Sequence, residues 1–285
     1  MIRRPLQTII AAIIATTVMT GRPAAGWAEE LRLFDLVRQR PITETQALEH
    51  LAGMRMVLVG EQHNNAAHHR AQLQVIRALH ESGRKVAVGL EMFRSDSRAD
   101  LDRWVAGSIN EARFKSIYLS NWNYDWDLYR PIFDYARRQQ IALVGLNVSP
   151  DLTAQVAYHG FDSLTSEQKG RLEGITCDVS GEYKDYIRRA YGAHGHGKMD
   201  FDRFCEAQMV WDTAMAANAV AYLQRHPDTL LVVLAGSGHA RKPAIPARLA
   251  ERKSWPVATL LPETTGILDA EHISSEDADF LILSK

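Results

Sequence analysis

Short apolar runs alternate with amphipathic segments along most of this chain. Apolar runs typical of buried strands lie at 57–59, 86–90, 141–146 and 230–234, with further candidates near 257–261 and 280–283. Apolar residues recur at helical spacing in the segments 66–80, 100–105, 131–138, 204–225 and 246–250. This alternation predicts an α/β fold with a mainly parallel sheet flanked by helices. Residues 31–51 are interpreted as a helix or two ahead of the sheet, and Pro131 as part of a first helical turn.

The alternation is interrupted between 150 and 227. No strand pattern occurs there, and the segment is rich in tyrosine, histidine, methionine and charged residues. We interpret this segment as an inserted all-helical subdomain. The predicted organisation is an α/β domain built from residues 29–150 and 227–285, with a helical subdomain over 151–226 between its two parts.

The N-terminus carries the pattern of a secretory signal peptide. Arg3 and Arg4 precede an apolar run over 9–18, and small residues follow around Ala28. The run is shorter than the roughly 20 residues of a membrane span, although an uncleaved anchor helix is the alternative interpretation. We predict that residues 1–28 are removed and that the protein is soluble and periplasmic. A lipid anchor is not supported, because no cysteine follows the run.

Charge gives no reason to expect a nucleic-acid partner. The chain has a formal net charge of −1. Loss of residues 1–28 makes that charge −4, because three arginines and no acidic residue are removed. Nucleic-acid-binding domains carry a basic excess, which is absent here.

Two predicted strands end in the same motif, Gly-x-x-His. Gly60 follows the first strand and leads to Glu61 and His63, while Gly236 follows a later strand and leads to His239. We interpret Gly60 as the residue at which the backbone turns as its strand ends. The carboxyl ends of parallel strands meet at one edge of the sheet, where ligands bind. We therefore expect both histidines at one edge, together with the other polar residues that end strands: Glu91, Asn147 and Ser237.

These residues permit two interpretations. Imidazole and carboxylate together suit a divalent transition metal, with His63, Glu91 and His239 as ligands, and such a site activates water for hydrolysis. Alternatively, the histidines make only structural hydrogen bonds. A serine hydrolase is excluded on local sequence, because the segment around Ser237 lacks the five-residue nucleophile elbow.

The helical segment contains a second group of possible ligands. It consists of three tyrosines and two histidines: Tyr183, Tyr186, Tyr191, His194 and His196. Glycines surround the histidines, so a flexible loop with incidental histidines is one interpretation. Tyrosinate and imidazole are, however, both axial ligands of haem iron. An aromatic cluster between 118 and 129 likewise either covers a hydrophobic flank or walls a flat apolar ligand.

With these residues in view, the chain resembles the ChaN-like haem-binding uptake family of the Tiki superfamily. The matching segments run in order over nearly the whole mature chain. They are Gly60-Glu61-Gln62-His63-Asn64 with His68 or His69, Gly89-Leu90-Glu91-Met92-Phe93, Tyr129-Arg130-Pro131-Ile132, Gly145-Leu146-Asn147, Ala207-Gln208-x-x-Trp211-Asp212-x-x-Met215-Ala216, and Gly236-Ser237-Gly238-His239 with Ile245-Pro246.

The resemblance implies a parallel α/β domain with a small helical domain. It also implies a role in iron or haem uptake, with haem stacked cofacially in pairs across a homodimer, and other components of haem uptake as partners. A tyrosine of the helical region is the implied iron ligand. Position relative to the Ala207-Gln208 helix favours Tyr191, with Tyr186 and Tyr183 behind it.

The wider superfamily also contains metal-dependent peptidases and esterases with paired Gly-x-x-His motifs and a glutamate. By that likeness, Glu61, His63, Glu91 and His239 would be the catalytic or metal-binding set of a hydrolase. The main hypothesis from the sequence is a periplasmic haem-binding protein without turnover, and the alternative is this metal-dependent hydrolase.

Overall fold

The strands belong to a single mixed sheet that is mainly parallel. The computed structural model describes residues 31–172, 177–191 and 200–284. The predicted signal peptide, 1–28, lies outside them. The strands are β1 Leu33–Asp35, β2 Arg40–Ile42, β3 Met56–Glu61, β4 Val86–Arg94, β5 Ala142–Asn147, β6 Leu230–Gly236, β7 Val257–Pro262 and β8 Phe280–Ile282. Their order across the described sheet is β2-β1-β8-β7-β3-β6-β4-β5.

Strand polarity follows the sequence prediction through the centre of the sheet. From β8 to β5 every neighbouring pair is parallel. Only β1 is antiparallel to its partners, β2 and β8, among the described strands. The predicted α/β fold with a mainly parallel sheet is confirmed. The carboxyl ends of β3, β4, β5 and β6 consequently lie along one edge.

Helices cover both faces of the sheet. They are α1 Glu44–Leu51, α2 Ala66–Glu81, α3 Arg98–Val105, α4 Glu111–Asn121, α5 Trp126–Arg138, α6 Pro150–His159, α7 Ser166–Arg171, α8 Gly181–Tyr191, α9 Phe201–Arg225, α10 Ser237–Ala240 and α11 Ile245–Ala250. None of these described helices combines the length and the apolar character needed to cross a membrane.

Alternate residues of the central strands belong to different cores. Val57 and Val59 of β3 pack with apolar residues of α1 to α5. Met56 and Leu58 pack on the other face with α9 and α11. A strand buried on both faces needs apolar residues at successive positions, which explains why these strands are continuous apolar runs.

The segment between β5 and β6 is helical wherever the structure describes it. Its helices are α6, α7, α8 and α9, and no strand occurs among the described residues between Asn147 and Leu230. One apolar cluster joins α6 and the residues on either side of α7, Leu164 and Leu172, to α9. Another joins α8 to α9 through Tyr183, Tyr186, Ile187, Cys205 and Met209. The limits predicted for a separate subdomain, 151–226, remain a prediction.

Some details of the sequence interpretation are wrong. Residues 31–42 form the hairpin β1–β2 rather than a helix, and only α1 of that region is helical. Pro41 fits because β2 lies at the edge of the sheet, where a missing N–H leaves no ladder bond unmade. Pro131 lies inside α5 and not in its first turn. The helix begins earlier because the Asp125 side chain accepts a hydrogen bond from the N–H of Asp127 and caps it.

Candidate functional site

The polar residues that end the central strands line one cavity of about 430 Å³. Glu61, His63, Glu91, Asn147, Ser237 and His239 all contribute to its wall. The parallel strand order therefore brings together the residues that the sequence predicts at this edge. Aromatic and apolar side chains complete the wall, among them Trp122, Tyr124, Trp211 and Ile267.

At the end of β3, a buried carboxylate holds an imidazole. Glu61 is 2% exposed. Its Oε1 accepts hydrogen bonds from Nδ1 of His63 at 2.7 Å and from the hydroxyl of Tyr129 at 2.6 Å. Nδ1 of His69 lies 2.9 Å from Oε2. Burial acts to raise the pKa of Glu61, but the contacts with His63 and His69 outweigh it and lower that pKa to about 2.

Because Glu61 is ionised, Nδ1 of His63 must carry a proton, and its Nε2 is left for the cavity. The ring packs between Trp122 and Tyr124, at centroid distances of 5.1 and 4.7 Å. It also lies close against Gly236, where an added Cβ would come within 3.3 Å of Nε2. Burial lowers the pKa of His63, yet the bond to Glu61 and the charge of Glu91 raise it overall.

A second imidazole is held by a carboxylate from α9. Nδ1 of His239 lies 2.6 Å from Oδ1 of Asp212, which is 1% exposed. Burial works to lower the pKa of His239, but the negative charges of Asp212 and Glu91 raise it to about 9. This imidazole is therefore a cation at neutral pH, with Nδ1–H donated to Asp212.

Glu91 lies within reach of both histidines. Its Oε2 accepts a hydrogen bond from the N–H of Gly236 at 2.6 Å, and its Oε1 is 3.8 Å from Nε2 of His239. The Asn147 side chain donates to the backbone carbonyl of Glu91 at 2.9 Å, which ties β5 to β4 at this edge. The cavity thus presents a carboxylate and two carboxylate-backed imidazoles, groups able to donate and accept protons.

The geometry gives no support to the predicted metal site. Nδ1 of His239 is bonded to Asp212, and its Nε2 lies 3.8 Å from Oε1 of Glu91. In the part of the chain that the structure describes, no group of three or more His, Cys, Asp or Glu side chains is arranged to hold a metal ion. The metal-dependent hydrolase hypothesis therefore has no support from the site.

His68 and His69 have separate structural partners. Nδ1 of His68 accepts a hydrogen bond from the N–H of Gln62 at 2.9 Å, and burial lowers the pKa of His68 to about 4. It is therefore neutral at physiological pH. His69 contacts Glu61, and its Nε2 lies 3.1 Å from the carbonyl oxygen of His63. Both histidines thus hold the turn that carries His63.

Two of the predicted haem ligands have partners inside the fold. The hydroxyl of Tyr183 donates to Oδ2 of Asp212 at 2.6 Å. The hydroxyl of Tyr186 donates to the carbonyl oxygen of Gly238. Burial raises the pKa of Tyr186 well above its usual value. To ligate iron, either side chain would have to give up its bond.

The remaining predicted ligands lie at or beyond the end of α8. Tyr191 is the last residue of that helix. His194 and His196 are outside the described residues. A haem ligand in this region remains a prediction for Tyr191, His194 and His196.

Sequence reasoning missed Asp212 as a site residue. Its position on α9 is buried among alanine, methionine and valine. A carboxylate is almost never fully buried without a partner. An aspartate on the apolar face of a predicted helix could therefore have been recognised as a candidate site residue. The partner itself, His239, comes from α10, the short helix directly after β6.

Known proteins are similar to this chain over most of its length. The family model described as haem-binding uptake, Tiki superfamily, ChaN matches residues 47–249. The solved structure of cofacial haem binding to ChaN of Campylobacter jejuni has a TM-score of 0.69 at 20% identity, over 89% of this chain and 96% of that one. None of the curated proteins matches the chain.

Two further solved structures show weaker similarity. The type III effector HopBA1 has a TM-score of 0.49 at 13% identity, over 84% of this chain and 91% of the effector. The erythromycin esterase EreC, in its open conformation, has a TM-score of 0.49 at 16% identity, over 83% of this chain and 81% of the esterase.

Proposed function

The chain belongs to the ChaN family of haem-binding uptake proteins in the Tiki superfamily, and from that membership we propose that it binds haem for iron or haem uptake. The observation that carries the proposal is the family match over residues 47–249, which includes α8 and the polar residues of the cavity. The fold supports it, because the solved ChaN of Campylobacter jejuni, which binds haem cofacially, has the same α/β architecture.

We assign the iron ligand to Tyr191. A tyrosinate oxygen is a known axial ligand of haem iron. The hydroxyls of Tyr183 and Tyr186 are already hydrogen-bonded to Asp212 and to Gly238. Tyr191 ends the same helix, where the chain continues into the segment containing His194 and His196. In this proposal haem lies beside α8, at the helical part of the chain.

The same proposal includes assembly and location. Two copies of the chain are proposed to bring their haems together cofacially in a homodimer, by likeness to ChaN of Campylobacter jejuni. The basic and apolar N-terminal pattern supports export to the periplasm with removal of residues 1–28. Other components of haem uptake are the proposed sources and acceptors of the bound haem.

Titration of the purified protein with haemin tests the ligand assignment. Wild-type protein is expected to shift the Soret band and to show the absorption of a tyrosinate-bound ferric haem. Tyr191→Phe removes the ligating oxygen and is expected to abolish this spectrum and to weaken haemin binding at least tenfold, since one ligand bond is lost.

A second tyrosine of the helical segment provides the matched control. Tyr158 of α6 is 61% exposed, so Tyr158→Phe removes a hydroxyl without disturbing the core. That variant is expected to keep the wild-type spectrum and affinity. If Tyr191→Phe also keeps them, Tyr191 is not the ligand. If wild-type protein leaves the haemin spectrum unchanged, the proposed function itself is wrong.

A further inference from the structure

Helix α8, which ends at the proposed ligand Tyr191, is attached to the cavity by tyrosine hydroxyls. Tyr183 and Tyr186 lie one turn apart on its buried face, at 4% and 1% exposure. The first donates to Asp212 and the second to the carbonyl of Gly238, which belongs to the Gly-x-x-His turn after β6. The rest of this contact includes a small apolar cluster in which Ile187 meets Cys205 and Met209. More exposed contacts add to it: Lys184 pairs with Asp202 at 2.8 Å, and Arg188 lies over the ring of Phe201 at 4.7 Å. The two hydroxyl bonds are the buried polar contacts by which this face of α8 is held.

The carboxylate of Asp212 contacts both Tyr183 of α8 and His239 of the cavity wall. Oδ2 of Asp212 accepts the hydrogen bond from Tyr183 at 2.6 Å, while Oδ1 lies 2.6 Å from Nδ1 of His239. His239 in turn faces Glu91 at 3.8 Å and lines the cavity wall. The two oxygens belong to one planar, buried group, so a change at either partner alters the orientation and charge density offered to the other.

We propose that Tyr183, Asp212 and His239 form a coupling chain by which the cavity sets the position of α8 and thereby the affinity of the protein for haem. Tyr183 and Tyr186 are then positioning residues of the haem site and not iron ligands. The part of this inference that concerns haem affinity rests on the proposed function. Anything that binds at Nε2 of His239 in the cavity would act on haem binding through this chain, without touching the haem.

Hydrogen exchange of the haem-free protein tests the attachment without any ligand. Tyr183→Phe keeps the ring and removes the hydroxyl. His239→Gln keeps a hydrogen-bond donor and removes the charge. Each variant is expected to speed amide exchange in α8 by about tenfold, the effect of losing one charge-assisted hydrogen bond, while β3 and β6 exchange at the wild-type rate. Tyr158→Phe is the control and should change neither.

A double-mutant cycle on haemin affinity tests the coupling. Each single substitution is expected to raise the haemin Kd about tenfold, the fold-change equivalent to one charge-assisted hydrogen bond. If the residues act as one chain, the double variant also loses only about tenfold. A hundredfold loss in the double variant would show two independent structural effects and would overturn the proposal. Unchanged exchange in α8 of the His239→Gln variant would overturn it as well.

The spectrum separates this inference from the proposed function. The Tyr183→Phe variant should bind haemin more weakly while retaining the tyrosinate spectrum, because its own oxygen does not ligate iron. Loss of that spectrum would make Tyr183 the ligand and refute the positioning role. Should His239→Gln fail to fold, Asp212→Asn takes its place in the cycle with the same expectation. If wild-type protein binds no haemin, the exchange experiment still decides whether the coupling chain connects the cavity to α8.

Discussion

Glu61 makes the stability of the fold depend on acidic pH. Its pKa is about 2 in the folded protein, against 4.5 for an unperturbed glutamate. The unfolded chain therefore takes up the proton first as the pH falls. The stabilisation is fully present above about pH 4.5 and is lost as the pH falls through about 2. Over the whole range it amounts to roughly 3 kcal/mol.

Urea unfolding at a series of pH values measures this contribution. Between pH 6 and pH 2 the wild-type protein is expected to lose roughly 3 kcal/mol more unfolding free energy than Glu61→Gln, which has no proton to take up. Glu49→Gln is the control, because Glu49 is exposed on α1. Parallel pH profiles for the wild type and Glu61→Gln would contradict the buried ion-pair description of Glu61, His63 and His69.

Only those cavity residues that lie near the ends of strands could be predicted from the sequence. His63 and His239 follow strands, and parallel polarity brings them together. Glu91 was predicted to end its strand, but β4 continues to Arg94, so this residue lies inside the strand near its carboxyl end. Asp212 lies on a helix, and nothing in local spacing indicates that it faces His239. The same limit applies to Tyr183 and Tyr186. Their residue type suggests a ligand, whereas only the packing of α8 shows that their hydroxyls are bonded inside the fold.

At the level of elements, the central strands were predictable because burial on both faces requires an unbroken apolar run. The strands β1, β2 and β8 have three residues each, which is too short to show an alternation or a run of apolar residues. Of these only β8 was anticipated, near 280–283. Helix α4 was also missed, because it buries three residues, Phe114, Ile117 and Tyr118, which are too few to establish a helical spacing.

Gly60 shows how an element boundary can be assigned for the wrong reason. The sequence suggests a turn at the strand end, but Gly60 lies within β3 and its φ is not positive. Its role is close packing. A Cβ there would come within 2.8 Å of the Leu261 side chain and 2.9 Å of Oγ of Ser237, the first residue of α10. The missing side chain lets α10 and β7 approach β3.

Gly60→Ala is therefore expected to destabilise the protein by about 1–3 kcal/mol, the usual cost of overpacking. Thermal or urea unfolding measures the change. Gly53→Ala is the matched control, because its added Cβ would meet only the carbonyl of His50 at an ordinary 3.6 Å. That substitution should change stability by less than about 1 kcal/mol. Equal effects at the two positions would argue against the close approach of α10 to β3.

For the whole molecule, the sheet and the helical segment have different roles. The parallel sheet collects the cavity residues at one edge, and helix α9 runs from the segment that carries α8 back to the sheet. Asp212 lies on that helix and contacts both Tyr183 of α8 and His239 of the cavity wall. Gly238 of the wall also accepts a hydrogen bond from Tyr186, so α8 and the cavity meet at two points. The haem site proposed at the end of α8 is therefore distinct from the cavity, although α8 itself is bonded to the cavity wall.

The cofacial pairing proposed for haem links haem binding to association of two copies. A ligand that binds between copies favours the dimer over the monomer by mass action. Light scattering after size-exclusion chromatography should therefore give a dimer mass for haem-loaded protein and a smaller mass after haem is removed. Tyr191→Phe should remain at the smaller mass in the presence of haemin, and Tyr158→Phe should dimerise like the wild type. A haem-loaded monomer, with tyrosinate absorption and a one-to-one stoichiometry, would show that this chain binds haem without pairing it.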